Sequence, residues 1–368
     1  MKNSLSLAIN SEQLNRIRDN AYLQIRKLKL LSFSAVDEKT QKIFLSSLGE
    51  ERNFSLPPLD DPISVSLSPS PLYTRPRQTP LIRLKAHSTT PFNRRRGQPH
   101  MNWLPILKKC AQKIRKDVIP FYATPNASIT FGKGAGGDPM KKIDLIAEKA
   151  LIETLQENKV SCTLISEETG VKEIGSHPHE YYLTTDPIDG TTNATRGIPF
   201  IATSIAVSKT PNLQSVQTAI VTDLLHNITY TAQKGKGAHK NNKKIKPATT
   251  TTLEEAVIGV DLNTYKIKQV ANQLNQVLEK TRHIRHLGAN ALELCYVADG
   301  TTDAFIDIRG KLRITDVAAA HLIIKEAGAL MLTPQGKEIN VPLDPAQRVS
   351  FIATANATLY ETIKKLLA

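Results

Sequence analysis

The sequence predicts a mixed α/β (α+β) fold for residues 101–368, and three observations lead to this class. Stretches with helical spacing of apolar side chains recur throughout this region. Short runs rich in Val, Ile and Thr dominate its first half and alternate with helices in its second half. The apolar fraction of the whole chain, 40%, is sufficient for an ordinary core. We therefore expect a two-lobed α/β region that follows an extension of different character.

The extension comprises residues 1–100. One amphipathic helix is predicted over residues 11–31, and residues 57–100 hold nine of the 21 prolines, which predicts a disordered linker. Sixteen Lys and Arg against eight Asp and Glu make residues 1–100 basic. Three interpretations stay open: translation that begins at Met101, a basic tail that contacts RNA or another polyanion, and a small helix that binds a partner.

From Met101 onward the elements follow in quick succession. The predicted domains are an N-terminal lobe over residues 101–235, which carries the acidic motifs, and a C-terminal lobe over residues 236–368. A Lys/Gly-rich turn over residues 234–246 separates their patterns. Helices are predicted over residues 102–118, 140–157, 264–279, 289–298, 316–327 and 358–367. Strands are predicted over residues 162–165, 181–185, 201–207, 218–222, 228–231, 257–260, 305–308 and 351–353.

Composition disfavours several classes of protein. No stretch reaches the roughly eighteen uninterrupted apolar residues that suggest a membrane span, and the first residues lack a secretory signal, so we expect a cytoplasmic protein without a membrane partner. Cys110, Cys162 and Cys295 are scattered without C-x-x-C pairing, which argues against disulfides and thiolate zinc sites. The net charge of +14 is too weak a basis for a nucleic-acid partner, and we expect none.

Residues 184–193, with the sequence TTDPIDGTTN, form the most informative motif. An apolar strand delivers Asp186 and Asp189 into a turn that contains Pro187 and Gly190. Gly190 lets the backbone approach a ligand, and free N–H groups where a short helix begins at Thr191 would suit a phosphate. Mg²⁺ prefers oxygen ligands and often shares phosphate oxygens. Asp-Pro and Asp-Gly are also common turn dipeptides, so the motif alone leaves both interpretations open.

Two further acidic sites favour the metal interpretation. Glu167 and Glu168 end an apolar strand, where alternation would send one carboxylate to the site and leave its neighbour, Glu168, solvated. Asp316 lies where a helix is predicted to begin, and an N-cap role is the structural alternative for it. Two metal ions roughly 3.5–4 Å apart could bind the attacking and leaving oxygens of a phosphoryl transfer and activate a water.

These residues resemble the lithium-sensitive inositol monophosphatases and their fructose-1,6-bisphosphatase relatives. The resemblance covers residues 101–368 and depends on three ordered blocks, residues 166–168, 186–193 and 315–319, the last leading to residues 326–328. It implies a layered αβαβα sandwich of the sugar phosphatase type, usually a homodimer, with Mg²⁺ as cofactor at about two or three ions per subunit. The Arg313-Ile-Thr-Asp316 sequence is similar to that of the archaeal dual-specificity enzymes.

The resemblance also implies roles for individual residues. Thr191 would position the attacking water with support from Asp144, and Glu167 would also take part in catalysis. Arg285, Asn290 and Arg309 are hypothesised to contact the substrate, with the two arginines receiving a second phosphate. The implied metal ligands are Glu167, Asp186, the Ile188 carbonyl, Asp189 and Asp316, and the implied phosphate site is Asp189, Gly190 and Thr191.

Two positions depart from the family pattern. Thr315 replaces a Trp of the animal enzymes, and Met140 leaves the hydrogen bonding near Asp144 undetermined.

The motifs and the family resemblance together predict a phosphoric monoester hydrolase acting on inositol 1-phosphate, fructose 1,6-bisphosphate or both. A phosphatase for 3′-phosphoadenosine 5′-phosphate is the enzymatic alternative. A non-catalytic protein that binds nucleic acid through the basic N-terminal segment is the alternative of another class.

Overall fold

The computed structural model of the protein describes residues 101–367, so the predictions for residues 1–100 lie outside the described residues. The helices are α1 (Trp103–Val118), α2 (Lys142–Glu157), α3 (Thr191–Arg196), α4 (Ile267–Lys280), α5 (Asn290–Asp299), α6 (Ile314–Ala327) and α7 (Ala357–Leu367). The strands are β1 (Thr130–Lys133), β2 (Pro139–Lys141), β3 (Cys162–Ser166), β4 (Gly170–Ile174), β5 (Tyr182–Asp189), β6 (Ala202–Ser208), β7 (Val216–Asp223), β8 (Ile228–Gln233), β9 (Ala238–Lys240), β10 (Lys243–Lys244), β11 (Val257–Val260), β12 (His283–Arg285), β13 (Ala304–Arg313), β14 (Leu330–Leu332) and β15 (Arg348–Thr354).

The N-terminal half builds an eight-stranded sheet of order β10-β9-β8-β7-β6-β5-β3-β4. Helices α1 and α2 cover one face of this sheet. In α1 the buried residues include Leu107, Ala111, Ile114 and Val118, whose spacing gives the helix an apolar stripe. These side chains pack with α2 and with Leu164, Leu183 and Ile205 in one hydrophobic cluster.

Helices α5 and α6 lie against the other face of the eight-stranded sheet. Every residue from Ile314 to Ile324 of α6 is buried, which is the pattern of a helix enclosed on all sides. A second hydrophobic cluster joins these helices to Ile165 and Tyr230 of the eight-stranded sheet and to Phe305 and Phe351 of the next sheet. The two helices therefore form a buried central layer.

The C-terminal half builds a five-stranded sheet of order β12-β11-β13-β15-β14. Its outer face packs against α4 and α7 through a third cluster, which includes Ile258, Ile306 and Leu359. The layers are therefore helix, sheet, helix, sheet, helix, which confirms the predicted αβαβα sandwich. Within residues 101–367, no helix combines the length and apolar character needed to cross a membrane.

Several predicted elements differ from the observed ones. The expected turn over residues 234–246 contains β9, which pairs with β8, and β10, which pairs with β9 and forms the edge of the eight-stranded sheet. Strands β1, β2, β4, β12 and β14 were not predicted, and β5 and β13 extend well beyond their expected ends. Because β9 and β10 belong to the first sheet, we place the lobe boundary between Lys244 and Val257 rather than at residue 235. Cys110, Cys162 and Cys295 are all buried and free.

Candidate metal centre

Strand β5 runs through the acidic motif as far as Asp189. Asp186 and Asp189 are three positions apart, whereas their partners on β6, Ser204 and Ala202, are two apart, so the register contains a bulge. On a regular strand two side chains three apart would point to opposite faces. The bulge changes this alternation where the motif leaves the sheet.

Three carboxylates from three distant parts of the chain converge at this point. Glu167 follows β3, Asp186 lies in β5 and Asp316 lies in α6, and one oxygen of each falls within 4.8 Å of the others. Asp186 and Asp316 are each only 4% exposed. Burial, followed by the charge of Asp316, raises the pKa of Glu167 well above its ordinary value, and burial followed by Glu167 does the same for Asp186. The arrangement is therefore electrostatically unfavourable without a cation.

Asp316 is not the N-cap of its helix. Arg313 holds that position, and Asp316 is the third residue of α6, so the N-cap interpretation was wrong. Thr315 Oγ1 lies 3.1 Å from Asp316 Oδ1 and donates a hydrogen bond to it. A carboxylate in the first turn also interacts favourably with the positive end of the helix dipole.

Asp189 accepts hydrogen bonds from the start of α5 and is not one of the three grouped carboxylates. Its Oδ1 accepts the Asn290 N–H at 2.9 Å, and its Oδ2 accepts the Ala291 N–H at 2.7 Å and the Leu292 N–H at 3.4 Å. Burial, followed by Asp316, raises the pKa of Asp189, while these three backbone donors lower it. Asp189 thus connects β5 to α5, and its part in binding metal or phosphate stays a prediction.

Thr191 and Asp144 form a direct pair beside the carboxylates. Thr191 Oγ1 lies 2.9 Å from Asp144 Oδ1 and 3.1 Å from the Ile188 carbonyl oxygen, so its one proton can reach either acceptor. Asp144 Oδ2 accepts the Lys141 N–H at 2.9 Å in a capping box, which fixes the local bonding that Met140 had left undetermined. Burial raises the pKa of Asp144 to about 6.

Gly190 joins the motif to α3 in the left-handed region, with φ of +91°. A Cβ at this position would lie 3.1 Å from the Phe200 carbonyl oxygen and 3.2 Å from Ala289 Cβ, so a side chain would be strained and crowded. The residue therefore lets β5, the segment before α5 and the start of α3 approach one another.

Arg313 contacts Glu167, one of the predicted metal ligands, although no role was predicted for Arg313 itself. Its Nη1 lies 2.8 Å from Glu167 Oε1, and its Nη2 pairs with Asp138 in the β1–β2 loop. The backbone of the same loop donates from Ala135 N–H to the Glu168 carbonyl and from Gly136 N–H to the Glu167 carbonyl, each at 2.8 Å. Four glycines among residues 132–137 were the available signal for a close-packed loop.

Comparison with known proteins identifies the family. The family model described as "Inositol monophosphatase family" matches residues 105–368. The chain belongs to this family. It is 36% identical over 273 residues to a fructose-1,6-bisphosphatase/inositol-1-monophosphatase of Methanothermobacter thermautotrophicus, a match that covers 72% of this chain and 96% of that protein.

Two further relatives of this inositol monophosphatase family member are informative. A bifunctional NADP phosphatase/NAD kinase of Methanococcus maripaludis is 35% identical over 274 residues, which span 69% of this chain and 47% of that protein. A crystal structure described as an inositol monophosphatase-fructose 1,6 bisphosphatase superposes with a TM-score of 0.64 at 33% identity and covers 72% of this chain and all of that one.

The resemblance to this family suggested Arg309 as a ligand for a second phosphate, and the structure argues against that role. The Arg309 side chain is only 6% exposed and pairs with Asp261 at 2.5 Å and Asp307 at 2.6 Å. Its Nε donates to Asp307 Oδ1 and its Nη1 to the Asn263 carbonyl. Four hydrogen bonds within the protein therefore occupy most of its five donors.

The other hypothesised substrate contacts of this family member are arranged differently. Arg285 is exposed at the end of β12, and its Nη1 reaches only the neighbouring Ile284 carbonyl, at 2.9 Å. Asn290 begins α5, and its Oδ1 is buried without a hydrogen-bond partner in the described part of the chain. Both residues remain available for a ligand, and their roles stay predictions.

Glu168 is not the solvated neighbour that strand alternation predicted. Strand β3 ends at Ser166, so both glutamates lie in the following turn, where alternation no longer applies. Burial, followed by the charge of Asp144, raises the pKa of Glu168 to about 8. The acidic region therefore extends from the three-carboxylate group towards Asp144.

Proposed function

We propose that this chain is a Mg²⁺-dependent phosphomonoesterase that hydrolyses inositol 1-phosphate, fructose 1,6-bisphosphate or both, using a metal-activated water. The observation that carries the proposal is the group formed by Glu167, Asp186 and Asp316, whose oxygens lie within 4.8 Å beside the Thr191–Asp144 pair. Relatives with both activities in their names support this substrate class. The site contains no cysteine nucleophile within the described residues, since Cys110, Cys162 and Cys295 are all buried elsewhere.

The donor set fits a hard divalent cation. All three grouped side chains offer carboxylate oxygens, which Mg²⁺ prefers, and Arg313 and Arg348 partly offset their charge. We propose about two or three Mg²⁺ ions per subunit, held by Glu167, Asp186, the Ile188 carbonyl, Asp189 and Asp316. When bound, these cations would neutralise phosphate charge and lower the pKa of a coordinated water.

The residues of the chain would orient and deprotonate the attacking water. The Thr191 hydroxyl can accept a hydrogen bond from that water while it donates to Asp144, which makes Asp144 the final proton acceptor. Backbone N–H groups of Gly190 and Thr191, at the start of α3, are proposed to hold the phosphate. Asn290 and Arg285 are proposed to contact the sugar or inositol and a second phosphate, respectively.

Phosphate release from a substrate panel tests this function. The panel contains inositol 1-phosphate, fructose 1,6-bisphosphate, 3′-phosphoadenosine 5′-phosphate and NADP, the last because one relative is named an NADP phosphatase. We expect release with Mg²⁺, loss of release with a chelator, and a fall of roughly 100-fold or more in kcat for Asp186→Asn. Failure of every substrate in Mg²⁺, or an Asp186→Asn variant as active as wild type, would refute the proposal.

The nucleic-acid-binding alternative differs from the phosphatase in its dependence on Mg²⁺ and on salt concentration. A protein that binds nucleic acid through basic residues needs no Mg²⁺, and its affinity falls steeply as salt is added. Fluorescence anisotropy with labelled RNA in 50 and 200 mM salt therefore distinguishes it from the phosphatase. We expect no specific RNA binding at either concentration.

We also propose a homodimer, which the family resemblance supports, and a cytoplasmic location. Sedimentation velocity of the full chain tests the first, since a dimer has twice the mass of the 40.6 kDa chain. Fractionation of cells that express the tagged protein tests the second.

A further inference from the structure

Glu148 is a buried carboxylate that the proposed chemistry does not use. It lies in α2 one turn after Asp144 and is only 2% exposed. Side chains four apart on a helix share a face, so α2 presents both carboxylates in the same direction. No Lys, Arg or His between residues 101 and 367 forms an ion pair with Glu148, although burying an unpaired charge is costly.

The partners of Glu148 are two hydroxyl groups, one at each end of a single turn. Ser166 Oγ donates to Glu148 Oε2 at 2.9 Å, and Thr169 Oγ1 donates to Glu148 Oε1. Between these hydroxyls lie Glu167 and Glu168. The Ser166 oxygen also accepts the Glu168 N–H at 3.3 Å, which continues the network into the backbone of the turn.

The same turn is held from its other side by the β1–β2 loop, whose N–H groups donate to the Glu167 and Glu168 carbonyls. Glu148 supplies the contacts from the interior, because its two carboxyl oxygens accept from the hydroxyls at both ends of the turn. Two fixed ends leave little freedom for the two residues between them.

We infer that Glu148 is a positioning residue that holds Glu167 in the orientation that metal binding requires, acting through Ser166 and Thr169. The inference depends on the proposed metal-dependent function. Glu148 is not one of the grouped carboxylates, and its side chain contacts the turn rather than the proposed metal site. Residues that support metal ligands in this way typically change metal affinity by roughly 10–100-fold when they are replaced.

Replacement of Thr169 gives the sharpest test, because this residue is exposed and its substitution is tolerated by the core. Thr169→Val removes the hydroxyl at constant volume, and Thr169→Ser keeps it. Mg²⁺ binding to the full chain without substrate is measured by isothermal titration calorimetry. We expect Thr169→Val to weaken Mg²⁺ binding roughly tenfold and Thr169→Ser to bind as wild type does.

Two more variants separate positioning from general stability. Glu148→Gln should also weaken Mg²⁺ binding. Thr154→Val removes another buried hydroxyl bond of α2, that from Thr154 Oγ1 to the Ala150 carbonyl, far from the turn, and should leave Mg²⁺ affinity unchanged. In the phosphatase assay, Thr169→Val should raise the Mg²⁺ concentration for half-maximal rate with little change in KM for substrate at saturating Mg²⁺.

The results of these experiments separate a failure of the positioning role of Glu148 from a failure of the proposed phosphatase function. Wild-type Mg²⁺ affinity in both Thr169→Val and Glu148→Gln would overturn the positioning role while leaving the phosphatase proposal intact. Equal losses of affinity in Thr169→Val, Thr169→Ser and Thr154→Val would overturn it as well, because they would indicate a general loss of stability. A wild-type protein that binds no Mg²⁺ would refute the proposed function and this inference together.

Discussion

Thr191 has a single hydroxyl proton and two acceptors within reach, Asp144 Oδ1 and the Ile188 carbonyl oxygen. Its hydroxyl oxygen can therefore accept a hydrogen bond from a water only while its proton points to one of them. Asp144 is the acceptor that could take on a proton, because a backbone carbonyl is a very weak base. The pair forms a route for one proton away from the proposed metal centre.

Removal of that hydroxyl should therefore lower kcat. We expect Thr191→Val to lose roughly 10²–10⁴-fold in kcat, the usual range for proton transfer by a positioned group, whereas Thr191→Ser should retain most of it. In the wild type, kcat should fall as pH drops below about 6, where Asp144 becomes protonated. Bound cations favour the ionised form, so the midpoint should lie at or below this pH. Initial rates between pH 4.5 and 8 check both expectations, and equal rates in Thr191→Val and Thr191→Ser would contradict them.

Arg309 should matter for stability rather than for selectivity. Arg309→Met leaves the buried carboxylates of Asp261 and Asp307 without their cation, which should cost about 3–5 kcal/mol in the free energy of unfolding. The exposed Arg285→Met is the control, with little change in stability. Urea unfolding measures the first effect. The ratio of kcat/KM for fructose 1,6-bisphosphate to that for inositol 1-phosphate should change in Arg285→Met and not in Arg309→Met.

Individual residues of the site could be predicted from the sequence, but their partners could not. The acidic residues of the motifs were identifiable by type and spacing, and Glu167, Asp186 and Asp316 do converge. Their partners were not predictable, because the contact of Arg313 with Glu167 or of Asp189 with α5 depends on chain segments about a hundred residues or more apart. Arg309 could not be distinguished from a free arginine in advance either, because its partners Asp261 and Asn263 lie in a separate segment 48 and 46 residues away.

At the scale of elements, α6 organises the region around the centre. It supplies Asp316 from its first turn, packs against both sheets, and at its other end Glu326 accepts the N–H groups of Gly235 at 2.7 Å and Gly237 at 2.8 Å. The β8–β9 hairpin is thereby attached to the helix that carries a proposed metal ligand. A carboxylate is otherwise unfavourable near a helix C-terminus, so these two hydrogen bonds explain its position.

Loss of this attachment should loosen the hairpin without affecting catalysis. Glu326→Ala removes the acceptor for both N–H groups, and we expect a loss of roughly 1–2 kcal/mol, confined to residues around the hairpin. Hydrogen exchange followed by mass spectrometry should show faster exchange at Gly235 and Gly237 with unchanged exchange in α1. Glu326→Gln, which keeps one acceptor oxygen, should show a smaller effect. A global change in exchange would contradict the local role.

Two of the strands that the sequence did not predict, β9 and β10, were missed for a shared physical reason. Strands β9 and β10 are short, rich in Lys and located at a sheet edge, where charged side chains discourage association with other strands. Such segments lack the apolar alternation by which strands are predicted. Buried strands such as β6 and β7 consist largely of small and β-branched residues, and they were predicted to within two residues.

At the scale of the whole molecule, the layered arrangement brings the centre together. Asp186 lies in β5 and Glu167 directly follows the neighbouring strand β3 of the eight-stranded sheet, whereas Asp316 comes from the central helical layer. The order of these layers followed from the family resemblance, since helix and strand patterns alone do not specify how two sheets stack. The centre therefore exists only when the central layer is packed against the first sheet.

Because the centre forms only in the folded protein, the free energy of unfolding should depend on both pH and Mg²⁺ concentration. Burial raises the pKa of Glu168 to about 8 and those of Glu167 and Asp186 well above their ordinary values of 4.5 and 3.8. Above pH 6.5 the unfolded chain has already released these protons, whereas the folded protein still binds some of them. The folded state thus holds more protons, so the free energy of unfolding must fall as pH rises, by about 1.4 kcal/mol per pH unit for each proton of difference.

We therefore expect the melting temperature of the chelator-treated protein to fall by several degrees between pH 6.5 and 8. His321 acts in the opposite sense, because burial lowers its folded pKa to about 4 while the unfolded group is still half protonated at pH 6.5. Its contribution is less than one proton and is nearly complete by about pH 7.5, so the carboxylates dominate the slope. Mg²⁺ binds the ionised carboxylates of the folded state, so it should stabilise the protein more at pH 8 than at pH 6.5 and flatten the slope. Differential scanning fluorimetry with and without Mg²⁺ measures all four conditions. The variant Glu167→Gln/Asp186→Asn lacks two of the buried carboxylates, so its melting temperature without metal should depend less steeply on pH. A dependence as steep as that of the wild type would place the proton linkage elsewhere in the molecule.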